Sequence, residues 1–196
     1  MTMQYIKQLL NTKRSMFKTN EFSLIFGIKN KHTIKNILQR MKKSWILFYH
    51  GLSIWSLEES NYDRYEFASK IRKRSYISFE TVLQKEWVIF QDYSHTTTLA
   101  SDNSLEKTID NMHYVFHKLS DSILNNPIGI INIENKYMIA SAERAACDMI
   151  YLHKNYYFDN VQGFDIDKLE ELKNIYNKTT VLLIDKFINH VKSKQA

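Results

Sequence analysis

An α+β fold in two parts is predicted from three observations on this 196-residue sequence. Positive charge is concentrated in the first 57 residues, apolar residues fall at helical spacing through the first 43 and again after Ser141, and the middle of the chain holds short runs with the period of two of a strand. The 44% hydrophobic and 24% charged residues are those of a globular chain. One Pro and four Gly exclude collagen-like and low-complexity readings, and no two glycines are close enough for a phosphate-binding loop.

In the first part, Ile6, Leu9 and Leu10 give one helix that ends near Lys13-Arg14. Thr19 is the expected N-cap of a second, with Glu21 in its first turn, Phe22, Ile25 and Phe26 on its apolar face, and Gly27 as its stop. The third helix runs from about Asn30 to Lys43. Ile34, Ile37, Leu38 and Met41 form its core stripe, and the opposite face centres on His32, Asn36, Gln39 and Lys43, flanked by Lys35 and Arg40. Trp45–Phe48 and Leu52–Trp55 then read as a hairpin with Tyr49 and His50 at its tip and Gly51 in its turn. Short helices followed by a long one and a hairpin describe a winged helix-turn-helix over residues 1–60.

Charge supports a polyanion as the partner of this part. Residues 1–57 hold ten Lys and Arg against one acid, Glu21, a formal +9, whereas residues 58–196 hold seventeen bases and twenty acids, a formal −3. No acid occurs between Glu21 and Glu58. Amide side chains suit adenine edges, and Lys and Arg suit guanine or phosphate. The expected DNA contacts are Lys29, Asn30, Lys31, His32, Lys35, Asn36, Gln39, Arg40 and Lys43 around the third helix, with Tyr49 and His50 on the wing. Lys70, Arg72, Lys73 and Arg74 form a short basic cluster, either a second phosphate contact or the cationic end of a helix over Tyr62–Lys73.

For residues 61–196 the pattern gives a small, mostly antiparallel sheet with flanking helices. Phe79, Val82 and Leu83 start a helix; Thr96–Ala100, Lys107–Asp110, His113–Lys118, Ile128–Ile133 and Tyr137–Ala140 read as strands. Ser141 caps a helix whose stripe is Ala142, Ala145, Ala146, Met149 and His153, and two more helices follow over Asp165–Tyr176 and from Thr180 to about Lys194. No convincing catalytic constellation emerges, so no enzyme, cofactor or metal site is expected. His113 and His117 have a helical metal-ligand spacing, but their segment is a strand and the glutamate of H-E-x-x-H is missing. Cys147 lies mid-helix as a buried thiol, and Asp165 and Asp167 form the acidic start of a helix. A lone cysteine excludes a disulfide framework, and no long apolar segment precedes Lys13-Arg14, so a cytoplasmic chain without a membrane span is expected.

Two stretches carry a family resemblance. Ala68-Ser-Lys-Ile-Arg-Lys-Arg-Ser-Tyr-Ile-Ser-Phe-Glu-Thr-Val-Leu83 and Ile139-Ala-Ser-Ala-Glu-Arg-Ala-Ala-Cys-Asp-Met-Ile-Tyr-Leu152 resemble, in order and separation, the signature stretches of AbiEi-type antitoxins, the antitoxin half of abortive-infection type IV toxin–antitoxin systems. The resemblance covers about residues 17–155. The family usually has Pro where this chain has Arg74 and Ala142, and Gly around Trp87. The resemblance implies a non-enzymatic autorepressor that binds the double-stranded operator of its own operon through the winged helix. It also implies an antitoxin domain that counters a nucleotidyltransferase-like toxin without a stable complex. The signature residues it marks are Ser75, Tyr76, Ser78, Glu80, Ser141, Glu143, Arg144 and Asp148. The competing reading is a winged-helix regulator whose C-terminal domain senses a ligand or dimerises, with no toxin partner.

Overall fold

A computed structural model describes residues 2–195, which form a mixed α+β protein of two compact units, one ending at Lys73 and the other starting at Arg74. The first unit contains α1 (Thr2–Asn11), β1 (Met16–Lys18), α2 (Glu21–Phe26), α3 (Lys31–Lys43), β2 (Phe48–Tyr49), β3 (Ile54–Ser56) and α4 (Arg64–Ile71). Its three strands pair antiparallel in the order β1-β3-β2. The strand β1 was not expected, because three residues are too few to show an alternation. The boundary falls thirteen residues later than the expected 60/61, because α4 belongs to this unit: its buried Glu66 accepts from the Ser15 amide and hydroxyl, both at 2.8 Å.

The core of the first unit takes up most of the predicted stripes; Leu10, expected on the first, is 59% exposed, and Phe17 of β1 joins the cluster. Leu9, Phe17, Phe22, Phe26, Ile34, Ile37, Leu38, Met41, Leu47 and Trp55 form one buried cluster. Asn20, not Thr19, precedes α2; the Thr19 hydroxyl instead accepts from Trp55 Nε1 at 2.8 Å. Gly27 ends α2 at φ +68°, where a side chain would be strained. The hairpin is shifted from its expected register. Trp45 and Ile46 close the end of α3 rather than open a strand, and the turn is formed by His50–Ser53.

The second unit carries β4 (Ser75–Ile77), α5 (Glu80–Lys85), β5 (Thr96–Ser101), β6 (Leu105–Ile109), β7 (Met112–Lys118), α6 (Asp121–Leu124), β8 (Ile130–Ile133), β9 (Tyr137–Ala140), α7 (Ala142–His153), α8 (Ile166–Leu172) and α9 (Lys178–Gln195). Its six-stranded sheet has the order β6-β7-β5-β4-β9-β8. It is larger and more mixed than expected: β4–β9 and β5–β7 pair in parallel, the other neighbours antiparallel. Asp110, expected at the end of a strand, sits with Asn111 at positive φ in the two-residue turn between β6 and β7.

Packing around α7 governs this unit. The helix contacts α5, α8, α9 and β9, so it is buried over its whole circumference from Glu143 to Ile150. The expected stripe was narrower, and His153 at its end is exposed. No helix among the described residues is long and apolar enough to cross a membrane.

Candidate functional site

The exposed face of α3 is the first candidate. Its four core residues turn inward, which leaves Lys31, His32, Lys35, Asn36, Gln39, Arg40 and Lys43 in solvent, with Lys29 exposed just before the helix. Asn30 is used differently from the expectation: its Oδ1 accepts from the His32 and Thr33 amides at 2.9 and 3.2 Å, so its side chain caps the helix. Arg40, Lys42 and Lys43 occupy the last turn, where cations complement the helix dipole. The outcome is a one-signed surface with two amides, Asn36 and Gln39, near its middle.

The hairpin beside it carries one of its two expected contacts outward. Tyr49 is exposed on β2, with Lys42 Nζ 5.5 Å from its ring centre and Trp55 4.7 Å away. His50 points inward: its Nε2 lies 2.7 Å from Ser56 Oγ, and its ring packs on Tyr62 and Phe67. The tip itself is Gly51, Leu52 and Ser53.

The cluster at 70–74 does not form a basic patch. Lys70 Nζ lies 3.2 Å from Glu21 Oε1, in a group that also holds Arg14 at 2.6 Å from the same carboxylate. Burial lowers the Lys70 pKa. Burial also acts against the Glu21 charge, but hydrogen bonds from the Lys18 amide and Arg14 outweigh it and hold the carboxyl below its ordinary range. Arg74 donates to Asp121 at 2.7 Å and Asn125 at 3.1 Å, Arg72 is half-buried and Lys73 is exposed.

In the second unit, four signature residues meet with Tyr176 in a buried network. Arg144 is fully buried and points its guanidinium at carbonyls and side chains together. It donates to Ile123 O at 2.7 Å, Ile128 O at 2.8 Å, Tyr76 OH at 3.0 Å and Asp148 Oδ1 at 3.2 Å. Asp148, also fully buried, accepts from Tyr176 OH at 2.7 Å and from Tyr76 OH and Ser78 Oγ at 2.9 Å each. Burial opposes the Arg144 charge, yet Asp148 beside it holds the guanidinium above its ordinary pKa. Burial pushes the Asp148 carboxyl up against its four donors, and both tyrosines are held well above their usual range. Gly129 makes the arrangement possible: at φ +72° it lets the chain pass so close that a Cβ there would meet Arg144 Cβ at 2.8 Å.

The other signature residues are structural or peripheral. Ser141 Oγ accepts from the Arg144 amide, the expected cap of α7. Buried Glu143 accepts from the Asp165 amide at 3.3 Å, at the start of α8. Ser75 pairs with Ser101 across β4–β5, and Glu80 opens α5 with its Oε2 buried. Asp165 caps α8, and Cys147 is buried, its thiol pushed up by that burial. His113 and His117 lie on β7, and no group of His, Cys, Asp and Glu among the described residues is arranged to hold a metal. Glu66 and Tyr176 were not singled out from sequence; nothing local marks a buried carboxylate in a short helix or a tyrosine after one.

The fold and the two sites define a two-unit α+β protein with a basic helix face in one unit and a closed Arg–Asp–Tyr network in the other. No protein-family model matches the chain, and no curated protein matches it.

Proposed function

We propose that the protein is a DNA-binding autorepressor whose first unit is a winged helix-turn-helix, and that it also acts as an antitoxin. The observation that carries the DNA reading is the exposed, acid-free face of α3. The element order adds support. In α1-β1-α2-α3-β2-β3, a short turn at Gly27–Asn30 separates α2 from the helix that would enter the major groove, and the β2–β3 hairpin serves as the wing. Lys29, Lys31, Lys35, Arg40 and Lys43 act on phosphates or guanine, Asn36 and Gln39 on adenine edges, and Tyr49 on the backbone beside them. Asn30, His50, Lys70 and Arg74 have no DNA role in this reading, because each is occupied by a partner within the fold.

The antitoxin half, directed against a nucleotidyltransferase-like toxin in the cytoplasm, rests on the resemblance. In this reading the signature marks the packing of the second unit rather than a toxin contact, since Tyr76, Ser78, Arg144 and Asp148 are closed off from solvent. A toxin-directed surface would lie elsewhere on that unit.

The test is duplex binding by the full chain to DNA from upstream of its own gene. With about five phosphates neutralised, the logarithm of the affinity should fall with the logarithm of salt at a slope of about −4 to −5. Affinity independent of salt would remove the DNA reading. Growth rescue of cells expressing a neighbouring nucleotidyltransferase tests the antitoxin half separately.

A further inference from the structure

A groove of about 240 Å³ opens where the C-terminal end of α7 and the following loop meet α9. Its floor is apolar, formed by Ile150, Phe158, Val161 and Phe187, all buried. The Phe158 and Phe187 rings pack at 4.8 Å. Three basic side chains, Lys154, Lys186 and His190, complete the wall, and no carboxylate lines it. This stands out in a region from Arg74 onward that holds thirteen Lys and Arg against sixteen acids, a formal −3.

Two nearby acids are held by other groups, while Glu80 lies close enough to act on the Tyr156 phenol. Asp159 Oδ2 accepts from the Phe90 amide at 2.9 Å, and Asp185 is bound to Lys173 at 2.7 Å. Lys154 sits at φ +37°, a conformation strained for a residue with a side chain, and strain of this kind accumulates at ligand sites. Tyr156 and Tyr157 add aromatic wall, Tyr157 being 77% exposed. Burial pushes the Tyr156 phenol up to about 12.

We propose that this groove binds a small planar aromatic carboxylate, its rings against Phe158 and Phe187 and its anion at the mouth between Lys154 and Lys186. The volume is below the roughly 300–1,000 Å³ of drug-sized sites and suits one or two fused rings. An apolar floor with a few placed charges is the usual composition of such sites. The site is independent of the DNA reading and would stand if that reading failed.

The test is titration of the full chain with 1-naphthoate, followed by amide NMR. Saturable shifts are expected at 150–161 and 183–190. The neutral analogue 1-naphthalenemethanol should bind more weakly, by up to about fivefold. K154Q/K186Q should weaken naphthoate by a similar factor, since an exposed ionic contact contributes up to about fivefold. Absence of saturable shifts in these segments, equal binding of the neutral alcohol, or an unchanged double variant would each overturn the proposal. The alcohol comparison uses the unaltered chain, so the result does not depend on how the variant folds.

Discussion

Helix α3 turns His32, Asn36, Gln39 and Lys43 into solvent, whereas α7, one residue shorter, holds Glu143, Arg144 and Asp148 inside. Both are polar along much of their length, and both begin at a side-chain cap. The surroundings separate them. One side of α3 packs on the core of its unit, so its other side is free; α7 is enclosed by α5, α8, α9 and β9. A charge on the first helix is therefore available to a partner. One on the second must be satisfied within the fold, because an unpaired buried ion costs several kcal/mol.

The largest expected effect tests the buried side. Arg144→Ala leaves Asp148 buried without its counter-ion and should cost about 3–5 kcal/mol in urea unfolding. The double replacement Arg144→Met/Asp148→Leu strands no charge but leaves the Tyr76, Ser78 and Tyr176 hydroxyls and the Ile123 and Ile128 carbonyls without these partners, so it should also be destabilised. If Arg144→Ala were as stable as the parent chain, the buried network would contribute nothing to holding the second unit together. A growth-rescue defect in that variant would report unfolding rather than a lost toxin contact.

On the exposed side the expectation is reversed. Asn36→Ala and Gln39→Ala should leave the unfolding midpoint unchanged and weaken operator binding by about 1–3 kcal/mol each, with random DNA little affected. Lys43→Ala should weaken operator and random DNA alike. Equal losses on both DNAs for all three variants would mean that the face contacts phosphate without reading bases.

A smaller effect concerns a feature the two units share. Helices α3 and α5 both end with a tryptophan in the left-handed region, Trp45 at φ +55° and Trp87 at φ +57°. The Ile46 amide reaches Met41 O at 2.9 Å, and the Val88 amide reaches Leu83 O at 2.8 Å, the closing bond of a glycine-type helix end. Trp87 thus occupies the conformation of the glycine that the antitoxin resemblance expects in this region, and the turn forms without it. Trp45→Gly and Trp87→Gly should each raise stability by about 1 kcal/mol by relieving that strain. A loss of stability in either would show that ring contacts, such as that of Trp45 with Phe48 at 6.3 Å, outweigh the relief of strain.

The smallest effect is a pH slope in the second unit. His117 is half-buried against Phe79, and burial holds its imidazole below the ordinary value of 6.5. Glu80 and Glu106 pull the other way, and His153 adds to the depression. The unfolded chain takes up this proton near pH 6.5 while the folded chain resists it, so stability falls as pH drops through that value and levels off below the folded value. Given the partial exposure of the ring, the change should stay under about 1 kcal/mol. Unfolding midpoints at pH 7.5 and 5.5 measure it, and His117→Gln should flatten the slope.

The linear order of residues was enough to determine the core stripe of α3, the Gly27 stop, the strands β5, β7 and β9 and the Ser141 cap. Each depends on a local period or on one residue's own conformational preference. Local pattern could not supply β1 and β4, whose three residues each are defined by the neighbours they pair with. It also could not say that His50 would turn inward or that Lys70 would join Glu21, because each depends on which groups the fold brings within hydrogen-bonding reach; the Asn30 cap, by contrast, bonds amides two and three residues on and is a local signal like that of Ser141. Tertiary structure alone decided the fate of Arg144 and Asp148. Their spacing of four permits a surface ion pair worth a few tenths of a kcal/mol. Enclosing α7 on all sides, and bringing Tyr76, Ser78 and Tyr176 from distant positions, removes water from that pair and makes it part of the core.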